Sequence, residues 1–196
     1  MTHLESVTTA PSASVTEAPS QTYGIRVAAA LAGAIVVAAA AQVALPVPGT
    51  PVPMTLQPLA VLVVGGLLGP RFGALSLVIY LAMGAAGLPA YTPGGLPGAA
   101  RLFGPSGGFL LAYPFAASLT GYIAARVTRN WQYFLAAFAG LAAIFAGGLS
   151  QLAIITGSWD GAIRLGGLPF LAKDLASIIV AGLLIRRFLP TTRALS

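Results

Sequence analysis

The chain has 196 residues, 57% of them hydrophobic and 7% charged, with a mean hydropathy of +0.89; a surface this apolar must face lipid, which excludes an ordinary soluble domain. Ten Lys and Arg against four Asp and Glu give a net charge of +6, but the basic residues stand singly or in pairs at the ends of apolar runs, as in membrane proteins, with no patch for nucleic acid. The absence of cysteine excludes disulfides and thiolate chemistry.

Residues 1–22 are rich in Ser, Thr, Ala and Pro and are expected to be a disordered polar leader. The polar part carries no early basic residue and precedes a long apolar run, so a cleaved signal peptide is not expected and the first helix is retained. Residues 23–196 form the second unit, an all-α membrane domain expected to be a bundle of six transmembrane helices. Span one, 27–45, is long enough to cross a hydrocarbon core, and its Ala30, Ala34 and Ala38 share one face that admits close helix approach, whether by another span of the chain or by a partner. A Pro-rich segment (Pro46, Pro48, Pro51, Pro53) leads into span two, 55–68, which is short and ends at Gly69-Pro70. Span three covers 72–88, span four 108–126, span five 133–156 and span six 168–189.

Seven basic residues (Arg26, Arg71, Arg126, Arg129, Arg186, Arg187 and Arg193) fall on the side of the termini and three (Arg101, Arg164 and Lys173) on the other. The excess predicts cytoplasmic termini, with the Pro/Gly-rich loops 46–53, 89–103 and 157–167 facing out. Proline fixes φ and glycine admits positive φ, so these loops are expected to be shaped, as a cover over a cavity opening outward.

Charges inside a span are costly and normally mark a site, which singles out Lys173 and Asp174; a carboxylate in a dry pocket is a strong acceptor for the paired N–H donors of a cyclic urea. Arg101, between a Gly/Pro loop and GPSGG, is placed to receive a ligand carboxylate through charge-assisted hydrogen bonds. Thr55, Gln57, Tyr80, Tyr91 and Gln151 are polar groups that lipid penalises, so they should point inward, where helix packing or ligand contact accounts for each. Gly94, Gly95, Gly107 and Gly108 would let backbone approach a ligand, or serve plain turn geometry.

Catalysis is not expected. GPSGG, at 104–108, fits the G-x-S-x-G pattern, but the chain's one histidine, His3, lies in the leader and its one lysine is Lys173, so the serine has no base. The carboxylates Glu5, Glu17, Asp160 and Asp174 are scattered, which gives no metal cluster, and nothing calls for a cofactor. A phosphate-binding G-x-x-x-x-G-K-[ST] loop is also absent. Energy for transport would come from ATPase partners or, if the chain works alone as a secondary carrier, from an ion gradient; a purely structural membrane protein would not need the outward polar loops.

PVPMTLQ, LLGPRFGALSLVIYLAMGAAGLP and LFGPSGGFLLAYPFAASLTGYIA closely resemble the BioY family, the biotin-specific substrate-binding (S) components of energy-coupling-factor vitamin transporters. The resemblance covers about 26–189. It implies biotin as ligand, a prokaryotic plasma-membrane location, and partnership with a transmembrane coupling (T) protein and two cytoplasmic ATPases; an S component for another small vitamin is the nearest alternative. It further implies that Asp174 is the pocket acid, that Arg101 helps hold the ligand, and that the small-residue face of span one meets the T protein. The family's Pro-Gly-Asp-Leu-x-Lys segment would place a lysine where Ser177 stands, whereas this chain has Lys173.

Overall fold

The computed structural model describes residues 19–194. Helix α1 (Pro19–Gln42) begins inside the stretch expected as a leader, whose residues 1–18 lie outside the described ones. A two-stranded antiparallel ribbon follows, pairing β1 (Ala44–Leu45) with β2 (Met54–Thr55). The all-α expectation is amended to that extent: the four prolines fall between the strands, where no ladder donor is needed.

The helical run α2 (Gln57–Ala85) is interrupted at Gly69, whose φ of 77° and ψ of 179° no other residue adopts without strain. Pro70 restarts the helix at a position where its missing N–H costs nothing. The run is a hairpin and not a rod, since Gln57 Nε2 lies 2.5 Å from the Tyr80 hydroxyl, a separation a straight helix would stretch to about 35 Å. A Cβ on Gly73 would stand 2.9 Å from the Gly65 Cα, so glycine is what lets the two legs touch. Legs 57–68 and 70–85 are the expected spans two and three. With α1, α3 (Gly107–Ala124), α4 (Gln132–Thr156) and α6 (Leu171–Ala194), they complete the six-helix bundle. A short helix not anticipated from the sequence, α5 (Trp159–Gly166), precedes α6.

The α2 hairpin packs against α1, α3 and α6, and α3 against α4. Ile35, Phe115, Phe138, Ile154 and Ile179 project from the sides of the bundle, a belt that only lipid can cover. Counting α2 once, five helices among the described residues are long and apolar enough to cross a membrane. The protein is therefore a multi-pass membrane protein.

The small-residue face of α1 is turned inward. Ala30 and Ala34 are 0% exposed, and Ala34 and Ala38 pack into the core with Val61, Val64 and Leu77. Their small side chains serve close approach of α1 to the α2 hairpin, so this face is not open to a partner. The exposed alanines at the same four-residue spacing are Ala28 and Ala32.

The loops collect at one end. Gln42 Nε2 donates to the carbonyls of Pro89 (3.2 Å) and Tyr91 (3.3 Å), Thr50 Oγ1 to that of Leu165 (2.5 Å) and Lys173 Nζ to that of Thr55 (3.1 Å). Segments 43–56, 86–106 and 157–170 are thus tied together over one mouth of the bundle. The Gly69-Pro70 turn, the connection 125–131 and the start of α1 occupy the other end.

Candidate ligand-binding site

Beneath the tied loops lies a cavity with about 580 Å³ of empty space, its open mouth included. Val52, Pro53 and Thr55 line it from the first loop, Tyr91, Thr92 and Arg101 from the second, Phe170 from the end of the third, and Lys173 and Asp174 from the start of α6. Helices α3 and α4 contribute Phe109, Leu110, Tyr113, Ile144 and Phe145. Gln57 and Pro58 close the wall from α2.

Asp174, 4% exposed, stands one turn into α6 with Oδ1 paired to the Lys173 ammonium. Lys173 also reaches the Thr55 carbonyl, so its charge is spent on the acid and on the first loop. Ser177, where the family would place a lysine, donates its hydroxyl to the Lys173 carbonyl at 3.0 Å and does not reach the cavity.

Arg101, 9% exposed, sits in the 3-10 turn Gly98–Phe103. Its Nη2 donates to the carbonyls of Thr92 and of Gly94, the latter at 2.5 Å, while its Nε is buried without a partner among the described residues. Gly94 and Gly95 serve this guanidinium: both have positive φ, and a Cβ on Gly95 would collide with Nη1. They do not line the cavity. The three charged groups on the wall, two cations and one anion, leave it one positive charge in excess, which suits a monoanion.

Gln57 is the hub of the remaining polar groups. Its Nε2 donates to the Tyr80 hydroxyl, and its Oε1 accepts from Thr92 Oγ1 (3.1 Å) and Thr55 Oγ1 (3.3 Å). The Tyr91 hydroxyl donates to the Leu81 carbonyl at 2.8 Å, and its ring stands edge-on to Tyr80. Burial pushes the Tyr91 hydroxyl up from its ordinary value while the charge of Arg101 pulls it down, so it remains a neutral donor near pH 7. Tyr80 lies behind the wall, holding Gln57.

Three other expected residues stand back from the cavity. Gln151 Nε2 donates to the carbonyls of Leu102 (3.0 Å) and Gly104 (2.8 Å), fixing the second loop to α4. Gly107 faces Leu102 and Gln151, and Gly108 lies against the Gly147 backbone, so both permit the close crossing of α3 and α4. Asp160 and Arg164, on the third loop, pair with each other at 2.8 Å on the exposed side of α5.

Sequence reasoning missed Thr92, Phe109, Tyr113, Phe145 and Phe170. Phe109 and Tyr113 are four apart and so share a face of α3, but nothing in the sequence says which face is inside. Among the described residues no group of His, Cys, Asp or Glu is arranged to hold a metal.

Residues 13–194 match the model of the BioY family. The chain belongs to the BioY family. It is similar to the biotin transporter BioY of Rhizobium etli, 36% identical over 145 residues, which are 69% of this chain and 77% of that protein. It is likewise similar to the probable biotin transporter BioY of Pyrococcus horikoshii, 35% identical over 142 residues, which are 72% and 83% of the two chains. Among solved structures, a crystal structure at 2.1 Å of the S-component for biotin from an ECF-type ABC transporter superposes with a TM-score of 0.73 at 26% identity, covering 86% of this chain and 90% of that one. The BioY fold and the cavity under its loops are therefore found together in this chain.

Proposed function

We propose that this chain is the substrate-binding component of a biotin importer, capturing biotin from outside a prokaryotic plasma membrane. The observation that carries the reading is the pairing, in one cavity, of a buried carboxylate, Asp174, with a buried guanidinium, Arg101. Biotin presents a cyclic urea at one end and a carboxylate at the other. Asp174 accepts from the urea N–H groups and Arg101 Nε faces the carboxylate, while Phe109, Phe145 and Phe170 enclose the apolar middle. The names carried by its relatives support the same ligand.

Six legs put both termini on one side, and Arg26, Arg71, Arg126, Arg129, Arg186 and Arg187 lie toward the end opposite the cavity. That excess supports cytoplasmic termini and an outward-facing mouth. A transmembrane coupling protein and two ATPases supply the work. The coupling protein docks on the exposed line of α1 through Ala28 and Ala32, where a bulky Ala32→Trp lowers uptake while leaving biotin binding intact. Loss of both activities in a folded Ala32→Trp protein would place that line elsewhere.

Titration of the purified protein with biotin, with thiamine and riboflavin as controls, tests the ligand. Saturable binding of biotin alone is expected, and binding of a control in its place overturns the assignment. Biotin accumulation in cells that lack the ATPases would instead identify a carrier that works alone.

A further inference from the structure

The first loop forms part of the roof of the cavity through Val52, Pro53 and Thr55, and two side chains hold it in place. Thr50 Oγ1 donates to the Leu165 carbonyl of the third loop, and Lys173 Nζ donates to the Thr55 carbonyl at 3.1 Å, across 118 residues of sequence. The second tie falls on a fixed point of the loop. Thr55 pairs with Ala44 across the ribbon, and its hydroxyl donates to Gln57 Oε1, so whatever holds the Thr55 carbonyl also holds the ribbon and, through Pro53 and Val52, the edge of the roof.

Lys173 differs from Thr50 in its other bond. The same ammonium pairs with Asp174 Oδ1, and the two side chains are only 18% and 6% exposed, so the pair keeps the strength that solvent takes from an ion pair at the surface. An ammonium has three donors and no acceptor, and here it joins the acid of the cavity to the roof above it. Asp174 still has Oδ2 to offer a ligand N–H. We infer that Lys173 is a positioning residue that brackets the first loop to Asp174, so that release of the ligand requires this bracket to open. The inference rests on the biotin reading for its ligand and goes beyond it, because it gives Lys173 a task that needs no contact with the ligand.

Amide hydrogen exchange of the ligand-free protein and the rate of biotin dissociation test this in wild type, Lys173→Met and Thr50→Val. In Lys173→Met the amides of 43–56 are expected to exchange at least about tenfold faster than in wild type while those of 86–106 change by less than about twofold, and biotin to dissociate about tenfold faster with its association rate within about threefold. Thr50→Val loosens the same loop but leaves Asp174 its counter-charge, and is expected to speed dissociation by about threefold. An ammonium that only touches the ligand would leave the exchange of 43–56 in the ligand-free protein unchanged, and that result overturns the inference. So does faster dissociation from Lys173→Met with none from Thr50→Val, which would trace the effect to the charge on Asp174 alone. A wild-type protein whose 43–56 amides exchange as fast as an unstructured chain overturns it whether or not either variant folds. Binding of thiamine or riboflavin in place of biotin overturns the biotin reading but not the bracket, which is then decided by the same exchange and by dissociation of the vitamin that binds.

Discussion

The two ends of the bundle are held together by different means. At the cavity end, side chains reach across long stretches of sequence to carbonyls of the connecting loops: Gln42 to Tyr91, Thr50 to Leu165, Gln151 to Leu102, Lys173 to Thr55. At the opposite end the bonds are local, with Arg126 donating to the Tyr122 carbonyl four residues back and the Gln132 side chain accepting from the amides of Thr128 and Arg129. Local bonds form wherever a helix ends. Long-range bonds to irregular backbone form only when the loops have one arrangement to keep, and that arrangement makes the cavity.

If the contrast is functional, damage at the cavity end should appear in binding and damage at the other end should not. The largest effect is expected from Asp174→Asn, which replaces a carboxylate acceptor by an amide and deprives the Lys173 ammonium of its counter-charge; biotin affinity falls by at least about tenfold, since a hydrogen bond to a charged group is worth roughly 1.5–3 kcal/mol. Unchanged affinity in an isothermal titration would remove Asp174 from the site. Arg101→Gln comes next. Wild type should bind biotin more tightly than biotin amide, whereas the variant should bind the two about equally, with overall affinity lowered because the clasp on Thr92 and Gly94 goes too. A folded variant that retains the wild-type preference would move the carboxylate to another group, Lys173 being the remaining cation on the wall. The smallest effect belongs to Arg126→Gln. That guanidinium lies over the Tyr122 ring on an exposed face, a contact worth about 0.5–1 kcal/mol at such sites, so biotin affinity should stay within about twofold; a larger loss would show that the two ends are coupled.

Much of this was legible beforehand. Hydropathy finds the six legs because lipid imposes it along whole helices, and Gly69-Pro70 marks the hairpin because few residue pairs satisfy both its φ values. Lys173 and Asp174 stand out because charge within a span is rare. Which way a helix face turns is another matter: the spacing of Ala30 and Ala34 shows that they share a face, but in a bundle small residues serve internal contacts as readily as external ones. Tyr113 and Phe115 make the same point, since they are two residues apart in one apolar run, yet one is 3% and the other 74% exposed. Lipid and core are both apolar, so hydrophobicity carries no inside-outside signal here. The loop glycines stay ambiguous in the sequence for a related reason, because closeness to a guanidinium or to a neighbouring helix asks for the same missing Cβ as closeness to a ligand.

The short first leg of the α2 hairpin also fixes a depth. Spanning 57–68, it is about 18 Å long at 1.5 Å per residue, against a hydrocarbon core of about 30 Å. The remaining height is made up by the β1–β2 ribbon and the loops over the cavity, non-helical backbone at a level where lipid could not satisfy it. The carbonyls of Thr55, Thr92, Gly94, Leu102 and Gly104 are satisfied there by Lys173, Arg101 and Gln151. Those side chains stand in for the water that the hydrocarbon lacks, and the thickness of the bilayer becomes a variable of binding: a thicker bilayer lays acyl chains against the loops, and a thinner one leaves them in the headgroups.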